Sequence, residues 1–276
     1  MMVVELHFKD FHHSRILFQN IEKHILGICS VFEGNSTGRI FVNNMKNPTT
    51  AIMHFGKSSL IFMGDSNDIP FNQSLKLFFQ EALFPQIKDI SENKFFSIYC
   101  DNKWEEKISH FFKNLLPIKR RFYQFNKLKV KDWRDKLPDD FSIRVIDKDL
   151  LSSSKHENTN PILSWIEGCW ITEDNFHNKG FGFCIIHNEF EIASVCLSNY
   201  YSENQNRCEI GIYTEKKFQK QGLAKILTSE MVDYCLNRKI KSIEWHTREE
   251  TVASVRIAEA VGFELKKEFT VFQGFI

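Results

Sequence analysis

The chain has 276 residues, 42% apolar and 26% charged, with 36 Lys and Arg against 35 Asp and Glu. That balance, with 27 phenylalanines, excludes a disordered chain. A net charge of +1 gives no global field toward nucleic acid, and no run approaches the ~18 apolar residues of a membrane span.

The start, MMVVELHFKDFHH, lacks a basic segment followed by an apolar run, which predicts no leader. The seven cysteines are odd in number and include no C-x-x-C pair. They read as free thiols in a reducing cytoplasm. No Cys/His cluster has metal-ligand spacing, so no metal is expected, and His12-His13 reads as surface.

Apolar residues at Ile16, Leu17, Ile21, Ile25, Leu26 and Ile28 predict a helix over 14–28. CSVFEGN, GRIFVNN, TAIMHFG and SLIFMG then read as a strand meander, punctuated at Gly34-Asn35, Asn43-Asn44 and Gly56-Lys57. Asp68-Ile69-Pro70 opens a helix over 71–84, FFSIYC is a strand, and Asp101-Asn102 caps a helix holding Trp104, Ile108, Phe111 and Phe112. Residues 117–140 form a connection with basic residues from Lys119 to Lys136. Its alternation at Phe125, Leu128 and Val130 favours a strand with a solvated basic face over a nucleic-acid patch. Leu137-Pro138-Asp139-Asp140 is a turn signature.

Further on, FSIRVI alternates as a strand, and 160–167 forms a helix with Pro161 at its first position. FGFCIIH and EIASVCLS make a hairpin across Asn188-Glu189, and RCEIGIYT is another strand. A helix over 222–238, the strand IKSIEWHT, a helix over 251–261 stopped by Gly262, and terminal strand-like pieces complete the chain.

One segment carries chemistry: EIGIYTEKKFQKQGLA, residues 209–224. A strand ends at Thr214, and a polar loop leads into an amphipathic helix at Gly222. The first turn of a helix offers unpaired N–H groups at the positive end of its dipole, which suits an anion. Gly222 and Ala224 leave the backbone uncovered, and Lys216, Lys217 and Lys220 add charge. The inference is a pyrophosphate cradle, although neither G-x-x-x-x-G-K-[ST] nor G-x-G-x-x-G is present.

Gln219-x-x-Gly222-x-Ala224 resembles the Q/R-x-x-G-x-G/A acyl-CoA motif of the GNAT family of N-acetyltransferases. The following WHT…SVRIAEAVGFE resembles that family in order and spacing. KGFGF at 179–183, EIGI-T at 209–214 and VFEGN…GRIFV are similar to its bacterial zwittermicin-resistance branch. The resemblance implies an α/β (α+β) GNAT acyltransferase fold in the C-terminal half. It also implies acetyl-CoA as co-substrate and a small-molecule primary amine as acceptor. The backbone of Ile212, Tyr213 and Thr214 would pair with the pantetheine arm, and that of Gln219, Lys220, Gln221, Gly222, Leu223 and Ala224 would hold the pyrophosphate. Thr251 stands where many members have a cofactor-contacting Asn, and Ser254 is its partial substitute. Glu209 would be the base; its bland alternative is a structural carboxylate paired with Arg207. The usual acid, a Tyr, is replaced by Ala258, leaving Tyr200, Tyr201, Tyr213 and His246 as stand-ins. Trp165, Trp170 and Phe176, with Glu167, Glu173 and Asp174, read either as an aromatic wall for a cationic amine or as core.

The expected organisation is an N-terminal α/β module over 1–125, a connection over 126–140 and the acetyltransferase domain over 141–276. The N-terminal half has the mixed order of a half-degenerate acyltransferase fold without the Gln-x-x-Gly-x-Ala loop. That predicts a tandem of related modules in which the first is structural or gates substrate. A non-catalytic acyl-CoA sensor is the alternative function, no nucleic-acid or membrane partner is expected, and a homodimer is left open.

Overall fold

A computed structural model describes residues 3–86, 95–153 and 159–275. Met1 and Ile276, the outer limits of the expected domains, lie outside the described residues. The chain divides into two compact units, Met1–Lys119 with Phe269–Ile276, and Arg120–Glu268.

The first unit holds β1 (Val4–Glu5), α1 (Arg15–Phe18), α2 (Leu26–Phe32), β2 (Gly38–Val42), β3 (Thr50–Phe55), β4 (Ser59–Gly64), α3 (Ile69–Phe78), β5 (Phe95–Cys100) and α4 (Asn102–Phe111). Strands β1 to β4 are antiparallel neighbours in sequence order, and β4 runs parallel to β5. The last strand of the chain, Phe263–Phe275, completes this sheet by pairing Phe272 with Ile98 and Phe275 with Phe95. Phe62, Phe71, Leu75, Phe79, Phe96 and Trp104 form the core between sheet and helices. Each such side chain contributes roughly 1.5–3 kcal/mol by leaving water.

Two expectations fail here. Cys29 to Phe32, read as strand, belong to helix α2, and the 14–28 helix is broken after Phe18. Leu26, Ile28, Cys29 and Val31 are all 0–1% exposed, so the helix is covered all round and displays no period. The Asp68 cap is as expected. Its carboxylate accepts from the Phe71 amide at 3.0 Å and from the Asn43 side chain at 2.6 Å. Asp68→Ala is expected to cost about 1–2 kcal/mol, read as a Tm lower by about 4 °C in a thermal melt; an unchanged Tm would deny the cap its role.

The second unit begins within β6 (Leu116–Phe125) and continues through β7 (Phe141–Val145), α5 (Lys148–Ser152), α6 (Thr159–Cys169), α7 (Glu173–Lys179), β8 (Gly182–His187), β9 (Glu191–Ser202), β10 (Arg207–Thr214), α8 (Leu223–Asn237), β11 (Ser242–Arg248) and α9 (Val252–Val261). It ends within β12, the Phe263–Phe275 strand. Strands β7 to β10 are antiparallel neighbours, β10 runs parallel to β11, and β11 pairs antiparallel with residues 120–124. Thus both units repeat one order: an antiparallel meander, then a parallel pair with a helix after each strand. This is the tandem order that the predicted elements imply, without a residue-level repeat to accompany it. Helices α8 and α9 bury Leu227, Met231, Val255 and Ala258 against Cys208, Ile210 and Trp245 on one sheet face. The other face carries the core of Leu150, Ile166, Trp170 and Phe176.

The segment expected as a connection over 126–140 is packed on the second unit. Leu128, Val130, Trp133 and Leu137 lie against its core. The Trp133 indole donates to Glu230 at 3.1 Å, and Arg134 pairs with Glu230 at 2.8 Å. The basic composition marks the solvated outer side of a packed segment, and the unit boundary falls at Lys119 instead of 125.

Candidate active site

The register between β10 and β11 creates the site. The two strands pair at Arg207/Ser242, Cys208/Ile243 and Glu209/Glu244, and pairing stops there. Beyond that point β10 stays with β9 as far as Thr214/Ser194, while β11 stays with β6 as far as Arg248/Arg120. The strands therefore part, and the β10 edge from Ile210 to Thr214 presents backbone groups with no β11 partner. A bulge in the β9–β10 pairing, between Glu209 and Ile210, marks the same place.

The expected cradle lies past the end of β10. Gly222 caps α8 in the left-handed region, at φ +87°, and no side chain caps this helix. Lys220 is also left-handed, at φ +65°. A Cβ at Gly222 would meet nothing within 4 Å, so the backbone there faces open space. The Gln219 side chain donates to the Thr214 carbonyl at 3.0 Å, tying the loop to the strand. Lys217 pairs with Glu191 at 2.5 Å, which offsets part of the local positive charge.

Glu209, at the fork, is 7% exposed. Its side chain shares a sheet face with Tyr200, directly opposite on β9, and Glu244, directly opposite on β11. The His246 Nε2 lies 3.9 Å from its Oε2. Arg207 is engaged elsewhere: Nε and Nη2 donate to the two oxygens of the fully buried Glu244 at 2.6 and 3.0 Å. Burial first, then the Glu244 charge, pushes the Glu209 carboxyl up to about 8, against the opposing pull of Arg120, Arg207 and a hydrogen bond from Asn199. Glu209 is thus a carboxyl poised to exchange a proton near neutral pH, with its structural partner taken by another acid.

The remaining expected residues divide. Thr251 is exposed at the start of α9, without a capping bond. The Ser254 hydroxyl accepts from the Trp245 indole at 3.0 Å, a packing role. Ala258 is fully buried, leaving no room there for a ring. The Tyr213 hydroxyl donates to Glu215 at 3.2 Å, and Tyr201 packs on Phe181. The aromatic wall reduces to Trp165. Trp170 and Phe176 are 1% exposed, and the Trp170 indole donates to the Ser198 carbonyl. Asp174 pairs with Lys148 and Glu173 with His177.

Sequence reasoning misses Asn199, Gly211, Glu244 and Arg120. Gly211 had a legible signal, because a Cβ there would lie 2.6 Å from the Trp165 ring and 2.7 Å from the Asn199 amide. Glu244 and Arg120 are brought in by register, and Asn199 by the bulge in the β9–β10 pairing. Among the described residues no group of three or more His, Cys, Asp or Glu could hold a metal ion, and no helix is long and apolar enough to cross a membrane.

A parallel pair that parts beside a carboxylate, followed by an uncapped helix start, defines a class. Residues 15–272 match the GNAT acetyltransferase family model, and the chain belongs to that family. It is 22% identical over 246 residues to the uncharacterized N-acetyltransferase YdfB of Bacillus subtilis (strain 168), covering 89% of this chain and 88% of that one. Among solved structures it resembles a GCN5-related N-acetyltransferase-like protein from Streptococcus suis 89/1591, at TM-score 0.70 and 20% identity over 97% of this chain and 99% of that one. A tandem GNAT protein from the clavulanic acid biosynthesis pathway matches at TM-score 0.59 and 8% identity, covering 99% and 98%. Together with the repeated order in the two units, these likenesses make the fold a mixed α/β GNAT fold.

Proposed function

We propose that the protein transfers an acetyl group from acetyl-CoA to a primary amine of a small molecule, within the unit Arg120–Glu268. The observation that carries this reading is the parting of β10 and β11 immediately after Glu209, beside an open helix start at Gly222. The free edge of Ile212, Tyr213 and Thr214 would take the pantetheine amides, and the backbone of residues 219–224 the pyrophosphate. Glu209 would accept the proton of the acceptor ammonium. The amine nitrogen then bonds to the thioester carbonyl carbon, the C–S bond breaks, and the electron pair leaves on sulfur. A thiolate of pKa about 8.5 leaves without an assigned acid. A backbone N–H of the β10 edge would hold the oxyanion.

The raised Glu209 carboxyl supports this role by magnitude. An ordinary carboxylic acid lies at 4.5, and this one at about 8. Taking a proton from an ammonium is then less uphill by about 5 kcal/mol, at roughly 1.36 kcal/mol per unit. The first unit is assigned a structural or substrate-gating role. Its corresponding helix α3 starts on Asp68, a built-in anion whose carboxylate accepts from the Phe71 N–H where a phosphate would bind. The KGFGF and EIGI-T segments support the zwittermicin-resistance-like branch, and the free thiols support a cytoplasmic setting.

The test is the Tm with acetyl-CoA, CoA and NADPH. A ligand at about 100 times its Kd stabilises by roughly 2.7 kcal/mol, worth several degrees. A shift with both CoA forms and none with NADPH is expected, followed by release of CoA when an amine panel is added. Binding without turnover would favour the sensor reading, which the exposed Thr251 and the missing Tyr at Ala258 motivate; no shift would remove both.

A further inference from the structure

The wall of the fork beyond Glu209 carries two arginines on one face. Register places Arg120 on β6 directly opposite Arg248 on β11. Residues directly opposite on paired strands share a face, and like charges so placed repel. Alternation along β11 puts Arg248 on the same face as His246 and Glu244, and alternation along β6 puts Arg120 on the same face as Phe122. The Phe122 ring lies 5.0 Å from that of His246, which adjoins Glu209. Arg120 therefore projects over the open part of the fork, within electrostatic reach of Glu209 but with no direct ion pair. Its Nε is buried and has no hydrogen-bond partner among the described residues. Among the described residues Arg248 pairs with Glu250, at 3.4 Å, an exposed neighbour in sequence. By contrast Arg121, on the opposite face, is engaged by Glu249 and Glu268, both at 2.8 Å, and Arg207 by Glu244.

A buried guanidinium N–H left without an acceptor is costly, and an acceptor brought to it by a ligand relieves that cost. Two arginines facing each other beside it form a fork suited to a carboxylate or similar oxyanion. With Glu244 neutralised by Arg207, the wall is net positive, which disfavours an acceptor carrying a second ammonium. Resting on the acetyltransferase reading, we propose that the acceptor is an amine that also bears a carboxylate, held by Arg120 and Arg248 with its amino group toward Glu209. The substrate class is thus amino-acid-like, and polyamines are rejected. The nucleotide end of acetyl-CoA belongs at residues 219–224, beyond β10, so these arginines serve the acceptor.

Two measurements test this. The first is acetyl transfer to matched pairs, β-alanine with β-alaninamide and L-phenylalanine with L-phenylalaninamide, beside spermidine. The acids are expected to exceed their amides at least tenfold in kcat/KM, a preference lost in Arg120→Gln through KM, with the KM for acetyl-CoA unchanged. Arg120→Lys should restore part of it. The second needs no turnover: the CoA-saturated protein should gain Tm with N-acetyl-β-alanine and not with N-acetylethylamine, and Arg248→Gln should reduce the gain. Amides or spermidine performing as well as the acids, an Arg120→Gln effect on acetyl-CoA instead of on the acceptor, or no Tm response to any carboxylated probe would each overturn the proposal. Absence of a CoA-induced shift in the first place would instead indict the acetyltransferase reading.

Discussion

Glu209→Gln is expected to lower acetyl transfer by about 10²–10⁴-fold while leaving the Kd for acetyl-CoA unchanged. The amide keeps the shape and the bond to Asn199 but cannot take a proton. In the wild type, kcat/KM should rise with pH and level off above a limb near 8, where Glu209 loses its proton. The groups that set this limb come from four strands: Glu244 on β11, Arg207 on β10, Arg120 on β6 and Asn199 on β9, with His246 of β11 facing the carboxyl at 3.9 Å. Glu244→Gln should move the limb down, because it removes a neighbouring negative charge and leaves the Arg207 cation facing Glu209. A pH-independent rate between 6 and 9, or an unaffected Glu209→Gln variant, would remove Glu209 from the chemistry.

The same carboxyl links function to stability. Its folded pKa, about 8, lies above the ordinary 4.5 of the unfolded chain. The folded state thus holds a proton that the unfolded state releases, and stability falls as pH rises from 4.5 to about 8. The shift is worth at most about 5 kcal/mol on that scale. Glu209→Gln should therefore match the wild type in Tm near pH 5 and exceed it near pH 9. A denaturation series across that range reads the crossover, and parallel curves would mean that Glu209 is already ionised in the fold.

These residues also show what a sequence can carry. The QKQGLA loop is legible because its backbone demands a residue type: the left-handed turn at φ +87° is written as Gly222. Gly211 is written for a related reason, the close approach of Trp165. Glu209 is legible only as an acid on an apolar strand. The feature that gives it a function, the end of β10–β11 pairing at Glu244, is a matter of register and leaves no residue-type trace. Nor does the identity of the Arg207 partner, which is Glu244, thirty-seven positions away. The strand endings of the first unit are clear from turn residues, whereas residues 29–32 of α2 read as strand because its surroundings cover every side. The shared order of the two units is a topological repeat without a sequence repeat. Asp68 and Gly222 illustrate why: the same helix start is closed by a carboxylate in one unit and left open in the other.

That contrast makes Gly222 the most informative position for binding. Gly222→Ala places a methyl group at φ +87°, which costs about 1–2 kcal/mol of strain. It meets no protein atom within 4 Å, so the added cost of packing is nil. The open space it enters is where a phosphate would approach the first-turn N–H groups of α8. Acetyl-CoA affinity is expected to fall about 10–100-fold, each tenfold being worth about 1.4 kcal/mol. Strain and blockage are separated by Gly222→Asn, since Asn tolerates the left-handed region better than Ala but is bulkier. The Asn variant should melt nearer the wild type than the Ala variant does, yet bind acetyl-CoA no better. Calorimetric titration of both variants decides the matter. If affinity follows Tm across the series, the loop binds nothing at Gly222 and its glycine serves only the turn; if affinity follows side-chain volume, the open backbone is the anion site.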